Sequence, residues 1–128
     1  TIAGCIASGL AGPRRASAGG TQDFVLGAHL LDGHGELLRF GGQVMKNVAG
    51  YDVSRLLAGS LGSLGVITQL SLKVLPIPDK EVTVCLDLDQ AKTLQTINRL
   101  NSLPLPISAS SWYNHRLYIR LSGASDPI

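Results

Sequence analysis

The chain is poor in the features that place many sequences at once. None of its 128 residues forms part of an uninterrupted apolar run of the ~18 residues that a membrane-crossing helix needs. Charge is nearly balanced, with a net value of +2, so nothing points to nucleic acid or an anionic membrane surface as a partner. There are two cysteines, Cys5 and Cys85, far apart in sequence. That is too few for a disulfide framework and favours a reducing, cytoplasmic compartment. The histidines are His29, His34 and His115, and none belongs to a regularly spaced set of His, Asp and Glu ligands, so no metal site is expected. Methionine occurs once, at Met45. Thr1 stands in mid-pattern and Ile128 closely follows an apolar strand, as expected of a piece of a longer polypeptide.

What is present is a glycine-punctuated stretch, MKNVAGYDVSRLLAGSLGSLGVITQLSLKVLPIP, from Met45 to Pro78. Gly59, Gly62 and Gly65 recur every third residue just before an alternating run. Glycine has no Cβ, so such a turn lets the backbone pass close to a bulky polar group. The alternation predicts a strand with Val66, Thr68, Leu70, Leu72 and Val74 on one face and Gln69, Ser71 and Lys73 on the other. Pro76 and Pro78 end it and open a linker. Asp52 is placed to cap a short helix over 53–58. Lys46, Asn47 and Tyr51 are the polar residues best placed to enter a site, and Tyr51 is equally well read as a half-buried structural tyrosine.

The flanking segments give the remaining elements. TIAGCIASGLAG reads as a short helix carrying Ile2, Ile6 and Leu10 and ending at Gly12-Pro13. Gly4 and Gly9 allow close approach, either of a cofactor or of a packed sheet. Arg14-Arg15 suits a phosphate or a carboxylate, or is simply solvated. FVLGAHLL (24–31) is apolar on both faces and reads as a central strand. Asp32-Gly33-His34-Gly35 turns it into the returning ELLRF. Beyond Pro78, alternation over 82–88 predicts a strand. Asp89 caps a helix whose stripe is Ala91, Leu94, Ile97 and Leu100. Residues 107–113 and 117–121 form a hairpin around Asn114-His115-Arg116, with Trp112 and Tyr113 serving a core or an interface. The fold class is α+β, and its second part is β-α-β-β.

Two long segments, SGLAGPRRASAGGTQDFVLG and RFGGQVMKNVAGYDVSRLLAGSLGSLGV, resemble the FAD-binding domain of the vanillyl-alcohol oxidase and p-cresol methylhydroxylase flavoproteins. Within that family the likeness is to the E-type subunits of bacterial glycolate oxidases. The resemblance implies that residues 1–78 are the second half of an FAD-binding domain and 79–128 the start of an α+β cap. It implies FAD as cofactor, with Ile2, Ala3, Gly4, Ser8 and Gly9 on the isoalloxazine and pyrophosphate side. Gly62, Gly65, Val66 and Ile67 would offer backbone groups to the adenine end. It also implies a sister flavoprotein subunit and an iron–sulfur subunit as partners, with association at the inner face of a membrane only through that complex. Two positions depart from the pattern: Leu61 stands where an acidic residue is usual, and Ala3 replaces a glycine. Three functions follow as alternatives: a flavoprotein subunit that assists glycolate oxidation, an interaction subunit that keeps the fold without productive flavin, or a D-lactate-type dehydrogenase. No catalytic residue is expected within these 128 residues.

Overall fold

The computed structural model describes residues 1–44 and 51–124, so the expectations for Lys46 and Asn47 lie outside the described residues. The chain forms two units, Thr1–Ala11 with Gly19–Leu75, and Gly12–Ala18 with Pro76–Ile128. One boundary falls between Leu75 and Pro76. The division also assigns Gly12–Ala18, which carries Arg14 and Arg15, to the second unit.

In the first unit, helix α1 spans Ile2–Ser8. Thr1 caps it, its hydroxyl accepting the Gly4 N–H at 3.0 Å. The helix stops at Gly9, three residues before the expected Gly12. Gly9 has φ of +66° and donates its N–H back to the Ile6 carbonyl, the usual way for glycine to end a helix. A Cβ there would come within 3.1 Å of the Gly59 backbone, so a distant segment requires glycine at this point. Of the expected apolar stripe only Ile6 is buried, while Ile2 and Leu10 are exposed.

After a 3-10 turn over Thr21–Phe24 come strands β1 (Val25–Leu31), β2 (Leu37–Gly41) and β3 (Val66–Leu72). They form an antiparallel sheet with β1 in the centre, as its two apolar faces predict. The β1–β2 turn is closed by the Asp32 carboxylate, which accepts the N–H groups of His34 and Glu36, both at 2.9 Å. Donation from the Glu36 backbone, aided by His34, holds the Asp32 carboxyl below its ordinary value. Helix α3 (Val53–Leu56) follows its Asp52 cap and delivers Leu57, fully buried, to a core of Ala28, Leu30, Phe40, Ile67 and Leu70.

Strand β3 departs from strict alternation. His29 pairs with Gln69 and Leu30 with Ile67, leaving Thr68 unpaired in a bulge, its hydroxyl donating to the His29 carbonyl at 3.3 Å. One extra residue flips every side chain before it to the other face. Ile67 therefore enters the core with Leu70, whereas Val66 and Thr68, expected beside Leu70, are exposed.

The second unit is the expected β-α-β-β: β4 (Lys80–Asp87), α4 (Gln90–Asn101), β5 (Ile107–Tyr113) and β6 (Arg116–Gly123). Its antiparallel sheet runs β4-β6-β5. Asn114 and His115 have φ of +49° and +61°, the double left-handed pair of a two-residue hairpin turn. Asp89 caps α4 by accepting the Lys92 N–H at 2.8 Å. The helix buries Thr93 with half-buried Thr96, Ile97 and Leu100. The expected stripe keeps Ile97 and Leu100 but loses Ala91 and Leu94, because the helix is turned to seat Thr93 over the sheet. Leu117 and Ile119 of β6 are buried. Trp112, 36% exposed, donates its indole N–H to the Leu88 carbonyl at 2.9 Å. Tyr113 is exposed. The short helix α2 (Arg15–Ala18) packs against β5. Cys5 and Cys85 are both free, and no described helix is long and apolar enough to cross a membrane.

Gly65 has φ of +141°, and a Cβ there would collide with the Leu31 carbonyl oxygen. Gly65→Ala is expected to destabilise the first unit by about 1–3 kcal/mol. Gly33→Ala, whose Cβ meets nothing, should lie within about 0.5 kcal/mol of wild type. Urea midpoints decide this, and equal effects at both positions would contradict it. Glu81 is held below its ordinary value of 4.5 by the Ser122 hydroxyl, then by Arg14 and Arg120. A carboxyl depressed in the folded state contributes stability that is complete above its unfolded value and is lost as pH falls through the folded one. Thermal stability should therefore drop below about pH 4.5, and less steeply in Glu81→Gln. Parallel acid profiles for the two proteins would contradict the assignment.

Candidate functional site

The first unit holds a groove of about 270 Å³ between the start of α1 and β3. Ile2 and Ala3 form one side, and Ile67, Thr68, Gln69, Leu70 and Leu72 the other. The local reasons are those of the fold. The Thr1 cap begins the helix so that Ile2 and Ala3 lie in its first turn. The bulge at Thr68 changes which side chains β3 presents on either side of it. None of the lining side chains is ionisable, so the groove can bind, orient and exclude water, but it has no side chain to accept a proton at neutral pH.

Of the nine residues expected at a site, the groove brings together Ile2, Ala3 and Ile67. Gly4, Ser8 and Gly9 serve α1 itself. The Gly4 N–H is taken by Thr1, the Ser8 hydroxyl donates to the Cys5 carbonyl at 3.0 Å, and the Gly9 N–H closes the helix. Gly65 donates its N–H to Gly62 at 3.3 Å and lies against β1. Val66 starts β3 and is exposed. Gly62, with φ of +79°, has open space where a Cβ would stand. Thr68 and Gln69, not singled out from the sequence, supply the groove's polar groups. Their signal was adjacency to Ile67 on the same strand.

The remaining polar candidates lie elsewhere. Tyr51 is 96% exposed, which removes the half-buried reading. His29 lines a smaller groove of the same unit, about 170 Å³, with Arg39, Gln69 and Ser71. That row is set by the register of β2, β1 and β3, which aligns Arg39, His29 and Gln69. Among the described residues no three His, Cys, Asp or Glu side chains group as metal ligands.

Against this geometry, the chain is 46% identical over all 128 residues to glycolate oxidase subunit GlcE of Escherichia coli K12, covering 37% of that protein. It is 39% identical over 84 residues to glycolate oxidase subunit GlcD of Bacillus subtilis 168, which is 66% of this chain and 18% of that one. A D-2-hydroxyglutarate dehydrogenase of Xanthomonas citri pv. viticola is 29% identical over 130 aligned positions, covering 100% of this chain and 28% of that protein. The chain thus spans little more than a third of the length of these relatives at most. No protein-family model matches it. Two crystal forms of alkyldihydroxyacetonephosphate synthase superpose with TM-scores of 0.69 and 0.67 at 15% and 16% identity. They cover 98% and 96% of this chain and 29% of each of theirs. At such identity they speak to the fold, which is the α+β fold expected from the sequence. With 46% identity over its full length and the fold shared, the chain belongs to the family that contains glycolate oxidase subunit GlcE.

Proposed function

We propose that the chain is part of the FAD-binding subunit of a glycolate oxidase, and that the groove between α1 and β3 is one wall of the flavin site. The observation that carries this is the convergence of Ile2, Ala3 and Ile67 in one groove of a chain 46% identical throughout to GlcE. The groove's composition fits the group. Ile2, Ile67, Leu70 and Leu72 offer an apolar surface to a flat ring system, Ala3 leaves room beside it, and Thr68 and Gln69 can meet polar ring edges. The flavin, when bound, supplies the hydride-accepting chemistry that turns glycolate into glyoxylate. This chain's residues supply position and a dry surface.

The partners under this reading are a sister flavoprotein subunit and an iron–sulfur subunit. The complex is cytoplasmic or gathered at the inner face of a membrane. One observation favours the interaction-subunit alternative: the N–H groups of Gly4, Gly9 and Gly65 are already bonded within the chain and leave no donors there for a pyrophosphate. The D-lactate dehydrogenase of Anaerostipes hadrus, 36% identical over 84 residues, keeps D-lactate as an alternative substrate.

The reading is tested by the visible flavin absorption of the intact protein after incubation with FAD and gel filtration. Bound flavin is expected. Ala3→Leu, which fills the groove, should weaken it by at least about tenfold, or ~1.4 kcal/mol, with unchanged circular dichroism. A colourless wild type would favour the interaction subunit, and an Ala3→Leu protein that binds normally would move the flavin elsewhere.

A second prediction concerns catalysis. The groove lacks an ionisable side chain, and 2-hydroxy-acid oxidation needs a base for the hydroxyl proton. The 128-residue chain with excess FAD should reduce no dye with either glycolate or D-lactate. Turnover of either by the chain alone would refute that division of labour.

A further inference from the structure

We propose that the second unit has a binding groove of its own for a small monocarboxylate, in which the Arg120 guanidinium takes the carboxylate. The inference stands apart from the flavin reading, since it uses only residues of the second unit.

Strand alternation creates the surface. Arg116, Tyr118, Arg120 and Ser122 of β6 share one face of the sheet. Glu81, Thr83, Cys85 and Asp87 of β4 stand beside them in register, with Ala109, Ser111 and Tyr113 of β5 on the other side. The buried Leu117 and Ile119 point to the opposite face. Across the polar face lies the segment Gly12–Ala18. The Arg14 guanidinium donates to the Glu81 carboxylate at 2.6 Å, and the Ser122 hydroxyl donates to the same oxygen at 2.7 Å. The Ser17 hydroxyl donates to the Ser108 carbonyl. These ties hold Pro13 and Arg14 as a wall over a groove of about 140 Å³, whose other walls include Thr83, Ala109, Ser111 and Arg120.

The charges on this face do not cancel. Arg14 is matched by Glu81. Arg116 is matched by Asp87 at 3.1 Å, and Tyr118 with Asp87 raises its already high affinity for the proton. Arg120 makes no salt bridge among the described residues, and its charge reaches the Glu81 carboxylate only at longer range. The Arg120 guanidinium presents five donors in a planar fork that fits a carboxylate in two-point contact. Thr83 and Ser111, both with hydroxyls, line the same groove. The Pro13 ring and Ala109 methyl suit a short carbon body. Glu81 stands in register with Ser122, next to Arg120 on β6, and its negative charge disfavours a second carboxylate or a dianionic phosphate. Among the described residues, one cation without a salt bridge, a small volume and a nearby anion together select a short monocarboxylic acid.

The experiment is a backbone-amide NMR titration of the protein with acetate and propionate, with succinate and inorganic phosphate as contrasts. The expected result is saturable shifts confined to Thr83, Ser111, Arg120 and Arg14 for the monocarboxylates, with weaker effects from the two dianions. Arg120→Gln should reduce affinity at least tenfold, as should Ala109→Leu, which occupies the groove without touching a charge. Arg116→Gln, whose partner is Asp87, should bind within twofold of wild type. Absence of saturable shifts would overturn the proposal. So would phosphate binding as tightly as acetate, or retained binding in both Arg120→Gln and Ala109→Leu.

Discussion

The first unit depends on a backbone contact that only glycine permits: the turn around Gly59 lies directly on the end of α1. The N–H groups of Gly59 and Leu61 donate to the Ile6 and Ala7 carbonyls at 3.1 and 2.8 Å. The Ile6 carbonyl takes this bond in addition to the one from Gly9, and the Ala7 carbonyl is one that a helix end leaves without a partner inside the helix. Gly9 must lack a side chain for the turn to come this near, and at the other end of the same turn Gly65 must lack one to pass the Leu31 carbonyl. The turn thereby ties α1 to the start of β3, and the groove lies between those two elements. Glycines that look like a cofactor signature in sequence are here first a means of bringing three pieces of backbone together. The groove itself is lined by side chains of α1 and β3.

The second unit solves a different problem with the same economy of parts. Its last strand, β6, is central, so one face of that strand supplies the buried Leu117 and Ile119 while the other supplies Arg116, Tyr118, Arg120 and Ser122. Period-two alternation thus separates a core from a charged surface within eight residues. The surface ion pairs contribute little individually in solvent. Their structural consequence is larger, since the Arg14–Glu81 pair fastens an otherwise remote segment over the sheet.

Local signals accounted for much of this. The central place of β1 followed from its two apolar faces, and the Asp52 and Asp89 caps from their positions. The β-α-β-β order followed from alternation and a helical stripe, and the hairpin from the polar stretch Asn114-His115-Arg116, of which Arg116 already belongs to β6. What was not legible depended on contacts between distant residues. The helix stop moved from Gly12 to Gly9 because Gly59 packs there. The face of β3 switched at Thr68 because β1 accepts a bulge. Helix α4 turned toward Thr93, whose hydroxyl has no hydrogen-bond partner among the described residues, a choice that composition disfavours. Arg14 and Arg15, adjacent in sequence, separate into an ion-paired wall and the start of a short helix. For the candidate site, Ile2, Ala3 and Ile67 were named through family resemblance, and their meeting is a property of the fold. The resemblance could not say that the glycine amides beside them were already bonded.

The central claim is that a flavin lies against α1 and β3. Hydrogen–deuterium exchange of the intact protein with and without FAD tests it directly, since binding protects the backbone it covers and stabilises the elements it joins. Bound FAD is expected to slow exchange in Ile67–Leu72 and in the first turn of α1, with the hairpin of β5 and β6 unchanged. Protection that leaves both α1 and β3 untouched while FAD is demonstrably bound would contradict that claim.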